Sequence, residues 1–155
     1  MVAILYNIRS LYNVGSIFRT ADGAGIEKLY LCGITPAPVD RFGNVRKQFS
    51  KVALGAHNYV PWEKVKRIET VIDCLKKEGY TIVALEQDKK AIPYCRMKIK
   101  RVPTALILGN EVRGLPLSVL KRADKILEIP MRGSKESLNV AIAFGIVAFH
   151  LLGER

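Results

Sequence analysis

The 155-residue sequence is poor in the features that announce many functional classes. Its three cysteines, Cys32, Cys74 and Cys95, are odd in number, widely spaced and without a CxxC pair. That argues against a disulfide framework and a structural zinc site, and it suits a reducing cytoplasm. The two histidines, His57 and His150, stand alone with no HExxH or comparable ligand spacing, so no metal is expected. Gly23-Ala24-Gly25 lacks the third glycine of a dinucleotide fingerprint and ends a helical pattern rather than preceding one. No GxxxxGK[ST] or GxSxG motif occurs, and neither Ser134 nor Ser137 sits in a nucleophile elbow. The opening MVAILYNIRS has no basic flank followed by a long apolar run, so a secretory signal is not expected. The uncharged run from Ser137 to Gly153, interrupted by Asn139 and His150, falls short of a membrane span. A soluble protein with no membrane partner is the expectation.

Acid is scarce as well. Against 14 Asp and Glu stand 25 Lys and Arg, a formal charge of +11 that favours a polyanionic partner. The cations cluster at Arg41, Arg46, Lys47 and Lys51, at Lys64, Lys66 and Arg67, and at Lys89, Lys90, Arg96, Lys98, Lys100 and Arg101. Of these, the third cluster and the Arg41 to Lys51 loop are the best candidates to follow a nucleic-acid backbone.

At 49% hydrophobic residues the chain has enough apolar material for a core, and its length suits one domain over residues 1–155. Short β-rich runs at Val2 to Tyr6, Lys28 to Cys32, Tyr80 to Leu85, Thr104 to Leu108 and Lys125 to Ile129 alternate with helical spacing. The helical segments are Asn13 to Ala24, Val65 to Lys77, Pro116 to Arg122 and Leu138 to Leu152. This alternation predicts an α/β fold around a mostly parallel sheet. Asn13 suits an N-cap, Gly25 the position past the end of its helix, Pro116 a first helical position, and Ser137 a cap for the last helix. Segments Ile34 to Asn44 and Gln87 to Lys100 read as exposed loops. The last helix is apolar all round, so it needs cover on more than one side. The sheet would cover one side and a second subunit the other. A homodimer is therefore expected, with a tightly folded monomer as the alternative.

Three polar islands lie beside these apolar elements. In NVGSIFRT, Asn13 to Thr20, Arg19 projects from an otherwise apolar helix. In LILGNEVRGLP, Leu106 to Pro116, Gly109 ends a buried strand and permits close approach by a flat ligand. Asn110 and Glu111 follow at its carboxyl end, where open α/β sheets bind ligands. In IPMRGSKESLNVAIAFG, Ile129 to Gly145, Ser137 and Asn139 offer side-chain hydrogen bonds beside backbone groups that could hold an adenine.

In order and together, NVGSIFRTADGAG, LILGNEVRGLP and IPMRGSKESLNVAIAFG resemble the three motifs of SpoU-type RNA ribose 2′-O-methyltransferases of the SPOUT superfamily. The resemblance implies a C-terminal deep trefoil knot, a homodimer packed partly through the last helix, and S-adenosylmethionine as methyl donor. Unaided, sequence rules would not suggest a knot, since knots are nearly absent from proteins. The resemblance places cofactor contacts at Leu85, Gly109, Asn110, Ile129, Met131, Ser137 and Leu138. It places Arg19 at the reacting hydroxyl, with Asn13, Glu111, Ser137 and Asn139 around it. Two roles stay open for Arg19: proton acceptor in an unusual setting, or a cation that fixes phosphate and stabilises a developing alkoxide. Motif one starts near the first residue and the sequence ends just after the last helix. RNA recognition is therefore expected from the catalytic domain, its basic loops and the second subunit, with tRNA slightly favoured over rRNA. The competing reading is a non-catalytic RNA-binding or ribosome-assembly module that keeps the fold.

Overall fold

The computed structural model describes residues 1–97 and 102–153. Lys98, Lys100 and Arg101 of the third basic cluster lie outside the described residues. Seven parallel strands form one sheet in the order β3-β2-β1-β6-β4-β7-β5. They are β1 (Val2–Tyr6), β2 (Lys28–Cys32), β3 (Trp62–Val65), β4 (Thr81–Leu85), β5 (Ile92–Pro93), β6 (Thr104–Leu108) and β7 (Lys125–Glu128). The helices are α1 (Leu11–Ala24), α2 (Lys47–Ala53), α3 (Ile68–Lys77), α4 (Leu117–Leu120) and α5 (Val140–Leu152).

Helices cover both faces of the sheet, which is why its inner strands read as continuous apolar runs rather than alternating ones. In β1, Ala3 and Leu5 join a core with α1, α2 and α5, while Val2 and Ile4 join a second core with α3 and α4. Every residue of β6 is buried, as befits the strand held between β1 and β4. On one face α2 presses against α1 at Gly15, where an added Cβ would come within 2.4 Å of the Val52 side chain and 3.1 Å of the Phe49 carbonyl oxygen. The absent side chain lets Phe49 meet Phe18 edge to face, with ring centroids 5.2 Å apart.

Several local expectations are corrected. Ser10, not Asn13, caps α1, its hydroxyl accepting from the Asn13 N–H at 3.2 Å. Asn139, not Ser137, caps α5, accepting from the N–H groups of Ala141 and Ile142. Pro116 is the cap of α4 rather than its first residue, and that helix is only four residues long. The Val65 to Lys77 pattern splits into the end of β3 and a helix that starts at Ile68. Part of the basic Arg41 to Lys51 segment is helix α2. The Ile34 to Asn44 loop is not wholly exposed, since Thr35 and Pro38 are buried. Thr35 tethers that loop to β1, its hydroxyl donating to the Leu5 carbonyl at 2.8 Å and accepting from the Ile8 N–H at 3.1 Å. The Gln87 to Lys100 loop includes β5, which pairs with β7. Gly25 does end α1, with φ 75°.

Along α5, Ala141, Phe144, Val147 and Ala148 are buried, whereas Ile142 and Phe149 remain 56% and 55% exposed. One chain thus covers a single side of this apolar helix. Replacing Phe144 by Ala should cost about 3–5 kcal/mol of stability through lost burial and a residual cavity. Urea unfolding checks this, and a loss below about 1 kcal/mol would show that this contact does not hold the helical layer.

Candidate functional site

The carboxyl ends of β4, β6 and β7 open into a cavity of about 630 Å³, within the size range of small-molecule sites. Leu85 and Glu86 line it from β4, Leu108 to Glu111 from β6 and its turn, and Glu128 and Ile129 from β7. Asn13 enters from α1, and residues 136 to 140 close the wall before α5. All the expected cofactor positions, Leu85, Gly109, Asn110, Ile129, Met131, Ser137 and Leu138, line this cavity, as do Asn13, Glu111 and Asn139.

Arg19 does not. Six residues beyond Asn13 along α1, it sits about 9 Å further along the helix and on another face. It lines a second cavity of about 530 Å³ with Ser16, Thr20, Gly23, Lys51, Val52 and Phe149. Phe149 belongs to the exposed side of α5, so within one chain Arg19 lies with the uncovered apolar surface.

Three of the polar residues form a continuous chain. The Asn139 side-chain amide donates to the Asn13 carbonyl oxygen at 3.0 Å, and the Asn13 amide donates to the Glu111 carboxylate at 3.2 Å. That carboxylate also accepts from the backbone N–H groups of Arg9 at 3.0 Å and Ser10 at 3.1 Å, at the start of α1. A negative group at this end of a helix meets unpaired N–H donors and the favourable end of the helix dipole. Partial burial opposes the charge on Glu111. The backbone donors, Arg9 among them, and the Asn13 amide outweigh it and hold the carboxyl below its ordinary value.

Asn110 lines the cavity, and its side chain also holds the turn in place. Its amide donates to the Asn7 carbonyl at 2.8 Å, while its oxygen accepts from Val112 and Arg113 N–H groups at 3.0 and 2.9 Å. It shapes the turn. The demand for glycine at position 109 is also internal, since an added Cβ would meet the Gly114 carbonyl carbon at 2.6 Å. The same turn is held from β4 by Glu86, whose carboxylate accepts the Leu115 N–H at 2.7 Å. Glu86 and Gln87 both line the cavity, and sequence reasoning stopped one residue short at Leu85. An acid and an amide directly after a parallel strand were the signal that could have found them. Lys64, exposed on β3, ties the end of β2 to the following loop, its ammonium donating to the carbonyls of Gly33 and Thr35.

Among the described residues no group of three or more His, Cys, Asp or Glu could hold a metal ion, and no helix is long and apolar enough to cross a membrane. Glu111 stabilises the fold through its charged form. Its clamp on α1 is complete above the unfolded carboxyl pKa and is lost as pH falls through the lower folded value. A carbon-13 carboxyl titration should place Glu111 below an ordinary glutamate, and a midpoint at or above the ordinary value would contradict the clamp.

The SpoU rRNA Methylase family model matches residues 1–149. A 23S rRNA (guanosine-2′-O-)-methyltransferase of Coxiella burnetii is 31% identical over 159 residues, covering 100% of this chain and 59% of that protein. The AdoMet-bound rRNA methyltransferase of Sinorhizobium meliloti has a TM-score of 0.87 at 30% identity, covering 97% of this chain and 54% of the other. A structure from work on the 2-OH methylation of C/U34 on tRNA has a TM-score of 0.78 at 26% identity, covering 96% of this chain and 91% of its own. The chain thus spans little more than half the length of the first two proteins. With a family match across nearly its whole length and a sheet that superposes on those structures, the chain belongs to the SpoU rRNA methylase family.

Proposed function

We propose that the chain is an RNA ribose 2′-O-methyltransferase that uses S-adenosyl-L-methionine. The observation that carries this reading is the convergence of all seven expected cofactor positions with Asn13, Glu111 and Asn139 on one cavity at the carboxyl edge of a parallel sheet. The cavity fits such a cofactor in its chemistry. Leu85, Ile129 and Leu138 offer apolar walls for a flat base, and Ser137, Asn139 and Asn13 offer hydrogen bonds beside them. When bound, the sulfonium supplies an already electrophilic methyl group.

The residues of the chain then have to place a ribose hydroxyl in line and stabilise the charge it develops as its oxygen bonds the methyl, the sulfur–methyl bond breaks and the hydroxyl proton passes to water. Asn139 and Asn13, linked to Glu111, hold the starts of α5 and α1 at the cavity. Arg19 supplies a cation. A guanidinium is a poor proton acceptor, so its assigned role is to fix a phosphate and stabilise the forming alkoxide. Arg19 shares its cavity with Phe149 on the uncovered side of α5, so a second copy packed there would bring Arg19 into the joint between subunits. The homodimer and the knotted path of the C-terminal part belong to this reading. Support for tRNA comes from the match to the tRNA C/U34 work, where 91% of the other chain is covered. The expected compartment is the cytoplasm.

Arg19→Ala should lose methyl transfer by at least about a hundredfold while keeping calorimetric binding of S-adenosylmethionine, in line with loss of a single stabilising donor. Near wild-type turnover would remove Arg19 from the mechanism. Labelled cofactor with total RNA should mark a ribose, and a 2′-deoxy nucleotide at the mapped position should accept no methyl group. Methylation of the deoxy RNA would instead indicate base chemistry, and no cofactor binding with or without RNA would favour the non-catalytic module. Sedimentation at micromolar concentration should show a dimer, and monomer mass alone would exclude a subunit joint at Arg19.

A further inference from the structure

The hairpin that precedes α2 presents an aromatic ring to water on a rigid mount. Val39 and Val45 form an antiparallel bridge, and the Asp40 N–H donates to the Asn44 carbonyl at 2.9 Å. The Asp40 carboxylate accepts from the Phe42 and Asn44 N–H groups at 2.8 and 3.0 Å, and Gly43 turns the chain at φ 84°. Arg46 ties the base, its backbone N–H donating to the Pro38 carbonyl at 2.9 Å and its Nε to the Val39 carbonyl at 3.3 Å. At the tip Phe42 is 72% exposed, with the Arg41 guanidinium 4.7 Å from its ring centroid.

A single exposed apolar residue is ordinary at a surface, and what sets Phe42 apart is its setting: a turn tied by the Asp40 carboxylate, with a guanidinium against the ring. The surrounding charge says what would cover it. From Arg41 to Trp62 the sequence contains no acidic residue; Asp40, just before it, feels the charge of Arg46, while Arg41, Lys47 and Lys51 take part in no ion pair among the described residues. Lys47 and Lys51 are exposed one turn apart on α2, and Lys51 lines the cavity that holds Arg19. A cationic track therefore runs from the aromatic tip along α2 to Arg19.

We infer that the Arg41–Phe42 hairpin is a base-stacking platform for the RNA substrate, receiving an unpaired base while Lys47 and Lys51 follow the phosphates beside it. A ring with an adjacent guanidinium stacks on any base, and the row of lysines neutralises the backbone. A protein segment docking on Phe42 would need carboxylates to match Arg41, Lys47 and Lys51, and it is the competing outcome below. The inference rests on RNA being the substrate.

The test is equilibrium binding of unfractionated tRNA to the full chain, with S-adenosylmethionine calorimetry in parallel. Phe42→Ala should weaken tRNA binding about tenfold, Phe42→Trp and Phe42→Tyr should keep it, and Phe42→Leu should not restore it. The Lys47→Ala, Lys51→Ala double variant should reduce the salt dependence of binding by about 1.4 in log–log slope, from two single-strand phosphate contacts. Unchanged tRNA affinity in Phe42→Ala, or full affinity in Phe42→Leu, overturns the platform, and the second result would assign the tip to an apolar protein contact. Wild-type chain that binds tRNA but not the cofactor overturns the methyltransferase reading and leaves the platform standing. Cofactor binding without any tRNA binding overturns the platform alone.

Discussion

One carboxylate ties together parts of the chain about a hundred residues apart. Glu111, just past β6, gathers the Arg9 and Ser10 N–H groups and the Asn13 amide, and Asn13 in turn accepts from Asn139. The starts of α1 and α5 and the turn after β6 are thereby held at one edge of the cavity. Hydrogen bonds to a charged acceptor are stronger than neutral ones and demand tighter geometry. Without this link the three polar islands would be separate loop ends. With it they form one wall.

The sheet makes that meeting place available. Burying β6 between β1 and β4 puts Gly109 and the turn after it at the centre of the carboxyl edge, beside the ends of β4 and β7. Glu86 then fastens the turn from the β4 side, and the close Gly109 to Gly114 approach leaves no room for a side chain at position 109. The cavity is therefore shaped from within the protein. Its ligand-facing groups are preorganised by contacts that a ligand does not have to supply.

The other side of α1 has a different character. Gly15 admits α2 so closely that Phe49 and Phe18 pack edge to face, and this places Lys51 next to Arg19. The exposed ring of Phe149 borders the same space. Cations and an uncovered apolar helix face thus share one surface.

Much of this was legible in the residues alone, because local and periodic signals carry it. The bounds of β1, β2 and β6 follow from apolar runs, and α5 was legible as an apolar helix, of which one chain covers one side. The cavity residues were recognisable because their motifs recur in a fixed order. Cap identity was misread at Asn13 and Ser137, since two polar residues a few positions apart compete for one role and only the backbone path selects between them. Strand β3 and helix α2 were missed because Trp62 to Val65 and the basic Lys47 to Ala53 carry weak patterns that neighbours complete, β2 for the first and α1 for the second. The sequence by itself determined which residues are apolar, which are charged and which could join a site. Only the tertiary structure decided that Asn13, Glu111 and Asn139 touch and that Arg19 turns to another surface. Those are contacts between segments distant along the chain, and strand order and helix docking set them, not any local propensity.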